Sequence, residues 1–171
     1  MDATKDKVQH LIDFYNLLPH PEGGFYRQTY KSSMSIDGDY LSNDFQGERA
    51  ISTAIYFLLN GTNFSAFHRI KSDELWHFYA GDALNIYVID EEGNFEIIKL
   101  GNNYLNGESF QAVVYAGSWF ASAPVNKDGF SFVGCTVAPG FDFKDFELAE
   151  RNNLIALYPK YKYTIAALTR I

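Results

Sequence analysis

The chain has 171 residues, 47% of them hydrophobic and 17% aromatic, with 15 Phe and 12 Tyr. That length suits one domain able to bury a core of its own, so neither a metal nor a disulfide is required merely to fold. The formal charge of −7, with Lys and Arg scattered rather than clustered, disfavours nucleic acid as a general partner.

The N-terminus, MDATKDKVQH, is charged where a signal peptide is apolar, which points to a cytoplasmic protein. Val8, Leu11, Ile12 and Tyr15 recur at helical spacing and predict an amphipathic helix over 4–18. LPHPEGG breaks it with two prolines and two glycines, and Gly23 and Gly24 suit a tight entry into a first strand. In the same segment, Glu22 either pairs with Arg27 or faces a pocket. Arg27 is a candidate ligand-binding residue, because a guanidinium holds a carboxylate or phosphate bidentately.

From Tyr26 to about Ala138, short segments such as FYRQTY, ISTAIYFLL, SAFHRI, ELWHFYA, ALNIYVID, FEIIKL, FQAVVYA, SWFASA and FSFVGCTVA alternate with turns rich in Gly, Asn and Asp. Regular short strands of this kind predict an antiparallel sandwich or barrel. The longest uncharged apolar segment, AISTAIYFLLN, is too short to span a bilayer, so no membrane is expected. The single cysteine, Cys135, reads as a buried inert thiol. APGFDFKDFEL reads as a strand end and a turn, its acids solvated or capping. The tail returns to helical spacing through Leu148, Leu154 and Leu157, breaks at Pro159, and resumes with Tyr161, Ile165 and Leu168. No repeat or linker divides 1–171, which is read as one domain.

The stretch FSAFHRIKSDELWHFYAGD, residues 64–82, carries the candidate chemistry. Strand alternation puts His68 on one face with Ala66 and Ile70, and Glu74 on one face with Trp76 and Phe78. His77, three residues after Glu74, is then directed to the opposite side of the sheet, together with Leu75 and Tyr79.

His68, Glu74 six positions on and Gly81 seven further are similar to the first motif of the cupins, in which two histidines one residue apart precede a glutamate and a glycine. LLPHPEGGFYRQTY, STAIYFLL, DELWHFYAGDAL and CTVAPGFDFKDFEL together resemble the small cupin family called Cupin_5 or DUF985, over about residues 14–168. The resemblance implies an all-β double-stranded β-helix, or jelly roll, with helices at both ends, a cavity between its sheets, and assembly as a homodimer.

The departures from the general cupin pattern shape the functional reading. Ile70 stands where the second histidine would be, and Phe120, in YAGSWF, where the second motif would end in another. A catalytic metal site commonly uses three protein ligands, and His68 and Glu74 supply two. No metal or other cofactor is therefore expected; the LPHPEGG loop could bring His20 near, but nothing in the spacing requires it. His68 and Glu74 are instead candidate catalytic residues for proton transfer. The sugar-nucleotide 3,5-epimerases, which also lack the second histidine, are similar in this respect and take a proton from carbon beside a carbonyl. Arg27, Ile70, Trp76, Phe78 and Phe120 are candidate ligand-binding residues, the aromatics forming a wall, with Trp119 turned the other way. The partner expected is a small polar molecule, sugar-like or anionic. A non-catalytic sensor and a metal-dependent cupin enzyme are the alternatives.

Overall fold

The computed structural model describes residues 3–41 and 45–170. The first helix, α1 (Ala3–Tyr15), is shorter than its apolar spacing suggests. Asn16 turns to φ 51, a left-handed conformation that ends helices, and Leu18–Pro19 enters a sheet. Val8 and Leu17 pack on Leu58, Phe130 and Phe132, which seats the helix on the outside of that sheet.

The strands follow in chain order: β1 (Leu18–Pro19), β2 (Phe25–Lys31), β3 (Ser35–Ile36), β4 (Arg49–Ala50), β5 (Thr53–Asn60), β6 (Ser65–Arg69), β7 (Asp73–Gly81), β8 (Leu84–Ile89), β9 (Phe95–Leu100), β10 (Gln111–Val114), β11 (Trp119–Pro124), β12 (Phe130–Ala138) and β13 (Glu147–Leu148). One sheet runs β1-β2-β5-β12-β7-β10 and the other β13-β6-β11-β8-β9, with β3 and β4 forming a short ribbon. Neighbours in these sheets pair antiparallel. This is the jelly roll expected from the sequence.

Alternation along the strands builds the core. Phe57 and Leu59 of β5, Trp76 of β7, Leu84, Ile86 and Val88 of β8, Phe120 of β11 and Val133 of β12 meet between the sheets. The opposite face of the five-stranded sheet is covered as well. There Phe67, Ile89, Trp119 and Ala121 pack under Leu154 of α2 (Arg151–Leu157) and Ile165 and Leu168, from α3 (Lys162–Ala167) and the residue after it. The outer face of the six-stranded sheet keeps more solvent contact, with Tyr79 and Val113 exposed. Among the described residues no helix is long and apolar enough to cross a membrane.

Candidate functional site

His68 lies in the middle of β6, facing inward between Ala66 and Ile70, and is buried. Its Nδ1 lies 2.7 Å from the carbonyl oxygen of Ala66, so Nδ1 carries a proton and donates it there. That leaves Nε2 toward the cavity, where it meets Glu22 Oε2 at 3.0 Å. One proton therefore serves this contact, held either by the carboxyl or by the ring. Burial raises the Glu22 carboxyl above its ordinary range, and burial lowers His68. Both directions favour the uncharged pair, a carboxylic acid donating to a neutral imidazole.

Glu22 reaches this position because of the turn between β1 and β2. His20 N–H donates to Gly24 O and Gly23 N–H to His20 O, while Ala66 N–H of β6 donates to Glu22 O. Gly23 sits at φ 115, where an added Cβ would overlap Arg170 Nη2 and the carbonyl of Phe64. Arg170 Nη2 itself donates to the carbonyls of Glu22 and Phe64 and to Asn63 Oδ1, with its guanidinium over the Phe64 ring. The same turn brings in His20, whose Nδ1 accepts from Glu22 N–H. Burial lowers the His20 pKa, which the Glu22 charge partly offsets.

Glu74 enters from the other sheet. Thr53, Val137 and Glu74 form one inward row across β5, β12 and β7, and Gln28, Ile55, Cys135 and Trp76 form the next. Burial pushes the Glu74 pKa up to about 7, against the pull of His68, and Glu22 pushes it further upward. The Cys135 thiol is its hydrogen-bond partner, and its own pKa is raised by burial and by Glu74. Between these groups is a cavity of about 220 Å³ whose lining includes His20, Glu22, His68, Ile70, Glu74 and Cys135. Tyr26, Gln28, Thr53 and Ile55 complete one wall, and Phe141, Phe143 and Phe146 form a roof. The roof is held by Asp145, whose carboxylate takes a bidentate grip from buried Arg49 at 2.6 and 2.8 Å.

Of the residues singled out in the sequence, His68, Glu74 and Ile70 come together in this cavity. Arg27 does not: it is exposed, in one outward row with Tyr56, Gly134, His77 and Gln111, because Tyr26 and Gln28 on either side turn inward. Trp76 and Phe120 sit in the core beneath the cavity rather than on its wall, the Phe120 ring 4.1 Å from that of His68. Phe78 packs against the same core, away from the lining. The expected aromatic wall is thus a floor, and the phenylalanines that face the cavity come from the 141–146 loop. His77 faces outward, contacting Thr136 and Gln111. Trp119 also lies on the far side of its sheet, under the Arg69 guanidinium.

A cupin-type metal does not fit these residues. The positions that would add imidazoles hold Ile70 and Phe120, and among the described residues no group of three or more His, Cys, Asp or Glu is arranged to hold an ion.

The model of the Cupin_5 family, Cupin superfamily (DUF985), matches residues 9–149. The chain belongs to the Cupin_5 family. Within solved structures, the Cupin_5 chain is similar to protein SO0799 of Shewanella oneidensis, at 42% identity and a TM-score of 0.85 over 95% of this chain and 96% of that one. A hypothetical protein from Leishmania major is 32% identical, with a TM-score of 0.86 over 95% and 98%. An uncharacterized Saccharomyces cerevisiae protein, YML079W, is 29% identical over 154 residues, 85% of this chain and 76% of its own. Oxalate decarboxylase of Bacillus subtilis, at 14% identity and a TM-score of 0.53, covers 88% of this Cupin_5 chain with 36% of its own and shares the fold alone.

Proposed function

We propose that this Cupin_5 protein binds a small polar molecule in the cavity and moves a proton on it with its own side chains. Glu22 and His68 act as one proton carrier and Glu74 as the other, in an isomerase or epimerase reaction at carbon beside a carbonyl. The observation that carries the reading is the 3.0 Å contact of His68 Nε2 with Glu22, facing a second buried carboxyl titrating near 7. A proton carrier is most effective when its pKa lies near the working pH, which suits Glu74 to the part. The anionic ligand expected from Arg27 loses its support, since Arg27 is not among the lining residues.

A non-catalytic binding role is the second reading, favoured by the engagement of both His68 ring nitrogens within the protein. One experiment separates the two. A panel of free sugars, sugar nucleotides and keto acids is incubated with the protein in heavy water, and proton NMR follows loss of the signal beside the carbonyl. Exchange that falls by about a hundredfold or more in His68→Asn supports proton transfer. Exchange unchanged in that variant sinks it, and tight binding without exchange favours the binding role. We further propose a homodimer formed through the outer face of the six-stranded sheet.

A further inference from the structure

The side chains around the cavity have an unusual balance. Glu22 and Glu74 are both more than nine-tenths buried, and no lysine or arginine is among the lining residues. Glu22 shares a proton with His68, while Glu74 receives the weak thiol donor of Cys135. A carboxyl held out of water without a cation is costly to ionise, and a ligand that brings a positive charge relieves that cost. The other chemical signature is aromatic. Phe141 lies 5.0 Å from Phe143 and 6.3 Å from Phe146, and Tyr26 lies 4.7 Å from the His20 ring. All of these rings line the same cavity. Aromatic faces attract organic cations, and desolvation strengthens the attraction. An anion would instead sit against two buried carboxyls, met only by the imidazoles of His20 and His68, which burial holds toward their neutral forms.

Size narrows the class further. A cavity of about 220 Å³ has the space of roughly seven waters at about 30 Å³ each. That is the scale of a monosaccharide and well short of a nucleotide.

We propose that the ligand is a small protonated amine of monosaccharide size, its ammonium seated between Glu74 and the phenylalanine roof and its hydroxyl or carbonyl groups directed to Glu22 and His68. The inference rests on the cavity being a ligand site, and not on turnover. The other titratable groups of the cavity are His68 of β6, His20 and Glu22 of the β1–β2 turn, Tyr26 of β2 and Cys135 of β12. Of these, only the two histidines carry a positive charge in either of their states, and burial holds both toward the neutral one.

Glucosamine, glucose and glucuronate are matched probes for cation, neutral molecule and anion. Each is titrated into the full-length protein by calorimetry just below pH 7, in two buffers of different ionisation enthalpy. Glucosamine is expected to bind at least about tenfold more tightly than glucose, and glucuronate more weakly than either. Glucosamine alone should release a proton, as Glu74 ionises to meet it. In Glu74→Gln the preference should shrink to within about twofold. If that variant does not fold, proton release by the unaltered protein decides the matter. Equal or tighter binding of glucose or glucuronate, glucosamine binding without proton release, or no binding of any probe at millimolar concentration overturns the inference. Heavy-water exchange on neutral sugars alone would overturn it while leaving the proposed proton chemistry standing. Amine binding without exchange would do the reverse.

Discussion

Glu22 Oε2 and His68 Nε2 stand 3.0 Å apart, and the remaining nitrogen of that imidazole donates to Ala66 O. The ring is thus fixed as the Nδ1–H tautomer, with Nε2 dependent on a donor from Glu22. Nitrogen NMR of the histidine rings should show His68 neutral at pH 7, and an imidazolium signature there would refute the shared-proton description. Glu22→Gln supplies an amide donor in the same place and should change stability by less than about 1 kcal/mol, whereas Glu22→Leu, which leaves Nε2 buried without a partner, should cost about 1–3 kcal/mol.

Glu74 makes stability depend on pH in a definite direction. Its pKa is about 7 in the fold against an ordinary 4.5, so the native state holds a proton that the unfolded chain releases between those values. Its contribution is fully present below 4.5 and is lost as pH rises through 7. His20 and His68, both lowered by burial, act oppositely, since unfolding below their ordinary 6.5 takes protons up. Comparison with Glu74→Gln isolates the carboxyl. Denaturant unfolding across this range should show the variant gaining on the parent with rising pH, by up to about 3 kcal/mol. A flat difference would exclude an ionising Glu74.

Arg49 and Asp145 form a buried ion pair, and the guanidinium also donates to the carbonyls of Gln46, Gly47 and Glu48. Removing one partner strands the other, so Asp145→Asn should cost about 3–5 kcal/mol, and the double variant Arg49→Met, Asp145→Leu less than that. Because Asp145 lies between Phe143 and Phe146 in sequence, ligand affinity should fall with the single change. A cycle showing no coupling between the two positions would remove the pair as the anchor of the roof.

Arg170 ties the Glu22 turn to the segment leading into β6. Arg170→Ala should lower stability by only about 1–2 kcal/mol, the side chain being exposed. The same change should displace the His68 nitrogen signals toward those of Glu22→Leu, an effect that simple loss of stability would not produce. Unshifted signals would reduce Arg170 to a surface contact. Gly23→Ala, strained at positive φ and blocked by Arg170 and the Phe64 carbonyl, should be the more damaging substitution.

The proposed homodimer would cover the outer row of the six-stranded sheet, where Tyr79 and Val113 reach solvent. Light scattering should report twice the chain mass at micromolar concentration, and Tyr79→Lys with Val113→Lys should halve it. A monomeric parent protein would dismiss the proposal.

The strands were legible because their apolar residues alternate and their turns are rich in Gly, Asn and Asp. The same alternation separated inward Glu74 from outward His77. It was no guide for Arg27, since FYRQTY carries polar or aromatic residues on both faces and offers no apolar side to fix the inward one. Loop residues have no period at all. In the sequence Glu22 suits a pairing with Arg27 and a pocket equally, and the turn closed by His20 and Gly24 brings it to His68. The spacing of Phe141, Phe143 and Phe146 was a signal available for the roof, but it reads equally as core. Asp145 looked like a solvated turn acid because its partner Arg49 lies 96 residues away. Asp142 does cap its turn as expected, accepting from Lys144 N–H.

The tie between Arg170 and the turn at Glu22 spans 148 residues of sequence. During synthesis the turn leaves the ribosome well before its anchor. The sheets can pair before that point, since their strands all lie upstream of residue 149. Maturation of the Glu22–His68 pair is therefore set apart in time from formation of the sandwich, and a nascent chain halted before residue 170 would have its walls but a loosely held acid.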